Sequence, residues 1–281
     1  MKKKLIGAFI MAFAIATISG CKKKEILDAN LVGLGGDTWA PTAIDTWISE
    51  NYTKPYNIEV KYKWDGSELD MSKTLVPVKE DKVIPVMDAI KKTWIEPYAS
   101  LAGENFIKKL SQKQFVLVGS PQYNPNNTIT LGEAEGGRKI TLFVINDFVK
   151  TNKTEVKRML HTIHHEFGHI LNQNIAVTSN YQRITPDGYD PTWFNYTDAQ
   201  ARALGFITSY ARSNKDDDFV EMLATMLVEG KTGFDAIVNG SGTGKAALLA
   251  KQAIVTAYMK DAFGIDVNLL QAKTETAINA L

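Results

Sequence analysis

The chain has 281 residues, of which 44% are hydrophobic and 22% charged, and this is the composition of a globular protein with enough apolar material for a sizeable core. Lys and Arg number 32 against 31 Asp and Glu, so the net charge of +1 gives no electrostatic basis for binding a nucleic acid. A nucleic-acid partner is therefore not expected.

The start of the chain has the pattern of an export signal rather than of a folded element. Lysines occupy positions 2–4, and the apolar stretch 5–18 that follows is too short to span a bilayer comfortably. The stretch leads into Ile-Ser-Gly-Cys, which resembles the bacterial lipobox, and Cys21 is the one cysteine of the sequence. We predict a signal peptide over residues 1–20 and lipidation of Cys21. A plain secretory signal with an incidental cysteine is the alternative.

A lipid on Cys21 has consequences for location and stability. Residues 21–36 are predicted to be a lipid-anchored tether, because they begin with three lysines and a glutamate and end in a glycine-containing run. The anchor implies a cell-envelope lipoprotein of the outer membrane, on either its periplasmic or its external face. It also leaves no cysteine for a disulfide, so stability has to come from the core.

Residues 37–173 alternate between helical and strand-like patterns. The spacing of apolar residues predicts helices over 42–51 and 83–95, and strands over 57–64, 114–118, 128–133 and 139–146. The last two strands are predicted to form a hairpin with Gly136 and Gly137 at the bend. The second strand of this hairpin, Lys139 to Asn146, is a candidate edge for pairing with an extended peptide.

Residues 174–281 are predicted to be mainly helical. A long helix over 154–172, with Thr154 as its N-cap, leads into this part of the chain. An irregular loop rich in aromatic residues follows over 174–197. The remaining predicted segments are helices over 216–229, 246–263 and 267–280, with a glycine-rich connection over 230–245.

The chain's four histidines cluster within nine residues, at positions 161, 164, 165 and 169. His165 and His169 are four residues apart on the predicted helix, so they lie on the same face and can offer two imidazole nitrogens to one metal ion. Glu166 stands beside them, where it can hold a water molecule. This is the H-E-x-x-H signature of zinc peptidases. A polar helix surface with scattered histidines is the alternative. We expect His161 to lie at the surface or to support a ligand, and His164 to point elsewhere.

A catalytic zinc ion takes three protein ligands and one water, so the third ligand has to be a carboxylate from another segment. The acidic run from Asp216 to Glu221 is the best source. Asp217 and Glu221 share one helix face, so one can bind the metal while the other supports a histidine. Spacing alone leaves the ligand open among Asp217, Asp218 and Glu221. Acidic residues that only complement the helix dipole are the alternative.

Two motifs also carry a resemblance to a known family. The segment from Tyr210 to Asn214, followed by Asp217-Asp218-Phe-Val-Glu221, is similar to the Y-x-x-x-N-x-x-E-D-F-A-E segment of zinc-binding metallopeptidase lipoproteins of bacterial outer-membrane glycan-uptake loci. The order of motifs also resembles the gluzincin-like catalytic domain of anthrax lethal factor. The resemblance implies that Asp217 binds zinc, that Tyr210 faces the reaction centre and that Glu221 is a supporting group. Because this chain has Asp where the family has Glu, Asp218 and Glu221 remain alternative ligands.

The resemblance implies an α+β fold of the zincin type. We expect residues 37–281 to form the catalytic domain, with a small mixed sheet packed on the H-E-x-x-H helix (upper part 37–173) and a helical C-terminal subdomain (lower part 174–281). The expected function is hydrolysis of peptide bonds by an endopeptidase with one Zn²⁺, Glu166 as general base and Tyr210 as oxyanion donor. Two alternatives are a non-catalytic zinc-containing accessory lipoprotein of an outer-membrane uptake complex, and a hydrolase of non-peptide amides.

Overall fold

The structure is a computed structural model that describes residues 40–124, 128–135 and 138–281. The predicted signal peptide, Cys21 and the tether lie outside the described residues, as do Gly136 and Gly137 of the predicted hairpin bend. Residues 41–281 pack as one compact unit. Among the described residues, no helix combines the length and the apolar character needed to cross a bilayer.

The strands of the described residues form a four-stranded sheet and a separate two-stranded ribbon. The strands are β1 (Glu59–Lys61), β2 (Gln114–Leu117), β3 (Gln122–Tyr123), β4 (Ile129–Thr130), β5 (Gly132–Glu135) and β6 (Lys139–Leu142). The larger sheet has the order β1-β2-β6-β5, in which β1, β2 and β6 are parallel and β5 is antiparallel to β6. The ribbon pairs β3 with β4. The sheet is therefore small and mixed, as predicted.

The hairpin of β5 and β6 corrects one expectation. Strand β6 pairs with β2 on one side and with β5 on the other, and its four residues are all buried. The prediction that Lys139 to Asn146 is an exposed edge is therefore wrong, since the edge strand on this side of the sheet is β5. Alternation of apolar and polar residues predicts which side chains of a strand point to the core. It does not predict which strands pair with it, and the parallel pairing of β6 with β2 depends on tertiary structure.

The helices dominate the rest of the chain. In order they are α1 (Ala43–Ile48), α2 (Lys54–Tyr56), α3 (Glu80–Ile90), α4 (Glu96–Ala102), α5 (Glu104–Leu110), α6 (Lys153–Asn174), α7 (Asp198–Ala203), α8 (Lys215–Asn239), α9 (Lys245–Phe263) and α10 (Val267–Ala280). Turns of π-helix at Ser49–Thr53 and Lys91–Ile95 join α1 to α2 and α3 to α4. Together with the sheet, they confirm the predicted α+β class.

At two helix ends the observed boundary has a clear local cause. Helix α6 begins at Lys153 with Asn152 as its N-cap, because the Asn152 side chain accepts a hydrogen bond from the amide of Glu155. Asn and Thr are both favoured N-cap residues, so the sequence offered both Asn152 and Thr154 as a start for the helix. The helical stretch α8 is kinked at Gly230 (φ 67°, ψ 178°), so the helix that begins at Lys215 breaks where the sequence predicts its end, and a second helical segment continues to Asn239. The predicted connection over 230–245 is therefore wrong over its first half, which is helical.

The face of α6 that points away from α8 is fixed by aromatic packing. Phe167, inside the H-E-x-x-H segment, is fully buried, with its ring edge-on to Trp94 at 5.3 Å and to Tyr98 at 5.1 Å between centroids. His164 lies on the same side, fully buried beside Tyr98. Because these residues occupy one face of α6, the residues a quarter turn away face α8. The core thus sets the rotation of the helix that carries the histidines.

Candidate metal centre

Three side-chain donor atoms converge between α6 and α8. His165 Nε2 and His169 Nε2 are 3.1 Å apart, and Asp217 Oδ1 lies 3.2 Å from the second and 3.6 Å from the first. Ligand atoms around a tetrahedral ion with metal–ligand distances of about 2.0–2.1 Å are about 3.3 Å apart. The three distances average close to that value. The set of two imidazoles and one carboxylate is a donor set of catalytic zinc sites, and it leaves a fourth position for water.

The carboxylate of Asp217 is oriented by the turn that precedes α8. Asn214 is the N-cap of α8, and its Oδ1 accepts hydrogen bonds from the amides of Asp216 (2.9 Å) and Asp217 (3.0 Å). Its Nδ2 donates to Asp217 Oδ2 at 2.7 Å, and the Ser213 hydroxyl donates to the same oxygen. Oδ1 is thereby left to face the two histidines. The turn positions the carboxylate before any metal binds.

A close approach of the two helices brings the short Asp217 side chain within reach. Gly168 faces Val220 of α8, and a Cβ at position 168 would lie 2.9 Å from Val220 Cγ1. Only glycine avoids this clash, so Gly168 allows the backbones to come together at this point. The approach gives a physical reason why a side chain as short as that of Asp217 reaches the two histidines.

Glu221 supports the site from behind. Its Oε1 accepts hydrogen bonds from His165 Nδ1 (2.7 Å) and His161 Nε2 (2.8 Å), and its Oε2 accepts one from the Thr208 hydroxyl (2.6 Å). Glu221 is 4% exposed, so these three donors replace the water that the carboxylate loses. A proton held on His165 Nδ1 leaves Nε2 with a lone pair for a metal ion.

His161 also contacts Glu221. The sequence favoured a surface position for this histidine over a supporting one, and the structure shows the supporting contact. His161 is only half-buried, but its ring contacts Glu221 because it lies one turn before His165 on the same helix face. His161, His165 and Glu221 also place three donor atoms within 4.8 Å of one another, as a metal site would. We interpret this second group as a hydrogen-bonded triad, because it uses His165 Nδ1 and its nitrogen–oxygen distances are those of ordinary hydrogen bonds.

Asp218 points away from the histidines. Its Oδ2 accepts a hydrogen bond from Lys251 Nζ at 2.6 Å and one from the Tyr189 hydroxyl at 3.0 Å. The Tyr181 hydroxyl donates to the backbone carbonyl of Asp218 at 2.9 Å. Asp218 and Lys251 are both fully buried. Asp218 is therefore committed to an internal ion pair, and of the three candidate acids Asp217 alone presents a carboxylate oxygen to both His165 and His169.

The electrostatics of the centre favour a bound cation. Burial opposes a charge on His165, but hydrogen bonds to Asp217 and Glu221 raise its pKa to about 10 in the metal-free protein. Burial likewise opposes ionisation of Asp217, yet its hydrogen bonds with His165, His169 and Ser213 hold its pKa well below the usual range. The negative field that attracts a proton to His165 attracts a divalent cation in the same way.

Glu166 and Tyr210 are the two candidate reactive groups beside the donors. Burial raises the pKa of Glu166 above its usual value, while the neighbouring His165 and His169 oppose that rise. The Tyr210 ring is stacked 5.6 Å from the His165 ring. Burial, followed by the negative charges of Asp217 and Glu221, raises the pKa of the Tyr210 phenol, which therefore keeps its proton at neutral pH. The Tyr210 hydroxyl hydrogen-bonds to Asp217, so Tyr210 is a protonated donor beside the three converging groups.

Sequence reasoning missed several residues that hold these groups in place. No sequence motif marks Thr208 or Ser213, because isolated serine and threonine residues are common in loops. Asn214 is part of the quoted motif, but its contact with Asp217 was not foreseen. Its position one residue before α8 is the signal for an N-cap, and an N-cap side chain is well placed to reach the first turn of its helix.

Comparisons with known proteins agree with this geometry. Residues 37–268 match the family described as "Putative zinc-binding metallo-peptidase". The fold is similar to a crystal structure from Bacteroides caccae, described as "a putative zinc-binding metallo-peptidase", with 31% sequence identity and a TM-score of 0.73 over 84% of this chain and 91% of that chain. A comparison with curated proteins gives no match. Because the family match spans most of the 281 residues, the chain belongs to this family of zinc-binding metallopeptidases.

Proposed function

We propose that the protein is a zinc-dependent endopeptidase with a single metal ion held by His165, His169 and Asp217. The observation that carries the proposal is the spacing of the three donor atoms, 3.1, 3.2 and 3.6 Å, beside an ionisable Glu166. Zinc in such a site supplies Lewis-acid activation of a water molecule and of the scissile carbonyl. A structural zinc site takes four protein ligands and needs no acid beside it.

Three side chains of the protein have the remaining catalytic and positioning roles in this proposal. Glu166 accepts the proton of the attacking water and returns it to the leaving amine. Its raised pKa brings it closer to neutral pH, where a general base is most effective. Tyr210 donates a hydrogen bond to the oxyanion that forms at the carbonyl, a contribution of about 3 kcal/mol by analogy with other oxyanion donors. Glu221 holds His165 in the tautomer that the site requires.

An extended peptide has a place to pair beside the centre. Strand β5 is the edge of the larger sheet, and Gly132 at its start lies directly against Thr162 of α6. A Cβ on residue 132 would lie 2.2 Å from Thr162 Cγ2, so the strand runs close over the helix that carries the histidines. Backbone groups of an edge strand bind extended peptides in many proteins. We propose that β5, rather than β6, pairs with the extended peptide substrate.

The main test compares wild type with Glu166→Gln and His165→Ala for zinc content and for cleavage of a peptide library. Glu166→Gln keeps the size of the side chain and no metal ligand changes, so we expect stoichiometric zinc and a loss of turnover of at least about 10²-fold. We expect His165→Ala to lose both. A zinc-loaded wild type that cleaves no peptide would refute the peptidase proposal.

That last outcome would favour a second proposed role, as a zinc-containing accessory lipoprotein of an outer-membrane uptake complex. We further propose that the protein is anchored at the outer membrane through Cys21, on the basis of the lipobox-like sequence. Expression of the full chain with radiolabelled palmitate tests the anchor. Label in wild type and its absence in Cys21→Ser are expected, while an unlabelled wild type released in soluble form would contradict it.

A further inference from the structure

A row of aromatic rings leads from the metal centre to the surface. The Tyr210 ring lies 5.6 Å from that of His165, and the Trp193 ring lies edge-on to Tyr210 at 4.8 Å. Phe194 continues the row, with its ring 5.8 Å from that of Trp193. His165 is buried at 6% exposure, whereas Tyr210 is 37% and Phe194 50% exposed, with a half-buried Trp193 between them. Apolar ring surface is thus open to solvent beside a proposed ligand of the metal.

The loop that carries the outer rings is fixed in place. Arg212, two residues after Tyr210, is 5% exposed, and its Nε donates to the carbonyl of Gly188 at 2.9 Å. Its guanidinium lies 4.0 Å from the centroid of the Tyr196 ring, and its carbonyl accepts a hydrogen bond from the amide of Asp190 at 2.7 Å. These contacts tie both flanks of the Trp193–Asn195 turn to the segment that leads into α8. The rings are therefore positioned before a ligand arrives, which lowers the entropy cost of binding.

The inner rings of the row pack against one another, but Phe194 leaves half of its surface in water. Burial of a phenylalanine side chain is strongly favourable, and the half-exposed Phe194 forgoes much of that stabilisation in the free protein. A ligand that covers the ring would recover it. Small-molecule and peptide sites combine such apolar walls with a few convergent polar groups, and His165, Glu166 and Tyr210 supply those groups here.

We propose that Tyr210, Trp193 and Phe194 form an aromatic ledge that binds a large apolar or aromatic side chain of the substrate, next to the bond at the metal centre. The inference rests on the proposed peptidase function and names its substrate class. Trp193 and Phe194 are then specificity-determining residues. Aromatic rings that meet edge-on or offset-stacked attract each other beyond what the area they bury accounts for, so the ledge favours aromatic over small side chains by about 2- to 10-fold.

The test uses hydroxamates, which bind zinc without being turned over. The zinc-loaded full chain is titrated with glycine hydroxamate and with phenylalanine hydroxamate, and the ratio of the two dissociation constants is compared between variants. In wild type we expect the phenylalanine compound to bind about 2- to 10-fold more tightly. Trp193→Ala and Phe194→Ala should bring the ratio close to one, and Trp193→Phe, which keeps a ring, should retain most of the preference. Trp64→Ala removes an exposed tryptophan just after β1, at the opposite edge of the sheet, and should leave the ratio unchanged.

The outcomes separate this inference from the proposed function. A wild type that binds both hydroxamates equally would overturn the ledge, even if it cleaves peptides. A wild type that prefers the phenylalanine compound but cleaves no peptide would retain the ledge and refute the peptidase. Equal weakening of both compounds in Trp193→Ala and Phe194→Ala would mean that the rings only position Tyr210, which also overturns the ledge. Phe194→Ala changes an exposed side chain, so it keeps the test decisive if Trp193→Ala fails to fold.

Discussion

The Oε1 atom of Glu221 lies 2.7 Å from Nδ1 of His165, and this contact decides which ring nitrogen of the histidine is free to bind a metal ion. The same oxygen accepts a hydrogen bond from His161, and the other oxygen of the carboxylate accepts one from Thr208. Glu221 is thus held by three donors, two from helix α6 and one from the segment before α8. The centre is built in two layers, in which the outer layer orients the ligands of the inner one.

His161 is expected to strengthen zinc binding although it is not a ligand. His161→Ala removes one of the three donors to Glu221, so the carboxylate can turn away from His165. Loss of such outer partners typically lowers metal affinity by about 10- to 100-fold. His161→Gln keeps an N–H donor on a side chain of similar reach and should recover much of the affinity. Competition with a chromophoric zinc chelator measures both variants, and an unchanged affinity in His161→Ala would show that His161 has no such role.

Asp217→Ala should abolish tight zinc binding, because it removes the carboxylate oxygen that faces both histidines. Asp218→Ala should retain zinc and lose stability instead, because it leaves the buried ammonium of Lys251 unpaired. Zinc content after dialysis and the free energy of unfolding in urea, measured on both variants, separate the two effects. If Asp218→Ala lost more zinc than Asp217→Ala, the ligand assignment would be wrong.

The buried pair of Asp218 and Lys251 is expected to show strong coupling. Lys251→Met leaves a carboxylate in the core without its cation, which costs about 3–5 kcal/mol in comparable pairs. Adding Asp218→Asn to Lys251→Met removes the unpaired charge, and the double variant should be more stable than Lys251→Met alone. Denaturant unfolding of wild type, both single variants and the double variant completes the cycle. Additive effects of the two substitutions would contradict coupling.

Gly168→Ala should push the two metal-binding helices apart. The new methyl group would lie 2.9 Å from Val220 Cγ1 and 3.0 Å from Val220 Cβ, and overpacking of this kind costs about 1–3 kcal/mol. Alanine's higher helix propensity offsets up to about 1 kcal/mol of that. We also expect weaker zinc binding, because Asp217 lies one turn before Val220 on α8. The double variant Gly168→Ala/Val220→Ala should regain zinc affinity, and failure to do so would locate the defect elsewhere.

The pH dependence of turnover should report the environment of Glu166. Glu166 has to be deprotonated to accept a proton from water, so kcat/KM falls as the pH drops through its pKa. Because burial raises that pKa above the ordinary value of 4.5, the acid limb of the profile should be centred above pH 4.5. Zinc content has to be measured at each pH, since protonation of the ligands also lowers activity. An acid limb at or below pH 4.5 with zinc still bound would contradict the prediction.

The sequence by itself determined the inner part of the site on α6. The helical period places His165 and His169 one turn apart on one face with Glu166 beside them, and this relation needs no tertiary structure. The same period placed an acidic run at the start of a later helix. The mixed α+β class and most helices were also readable, because long amphipathic segments carry a strong periodic signal. The predictions for residues 1–36 rest on the sequence alone.

Only the tertiary structure shows which of Asp217, Asp218 and Glu221 faces both His165 and His169. Neighbouring residues on a helix point about 100° apart, so which of them faces a metal depends on how α8 is rotated against α6. That rotation is set by contacts between distant segments, including the close approach of Gly168 to Val220 and the burial of Asp218 against Lys251. The contact of His161 with Glu221 and the position of β5 at the edge of the sheet also depend on contacts between distant segments. Local spacing fixes directions within one element, whereas the packing of elements fixes what each side chain meets.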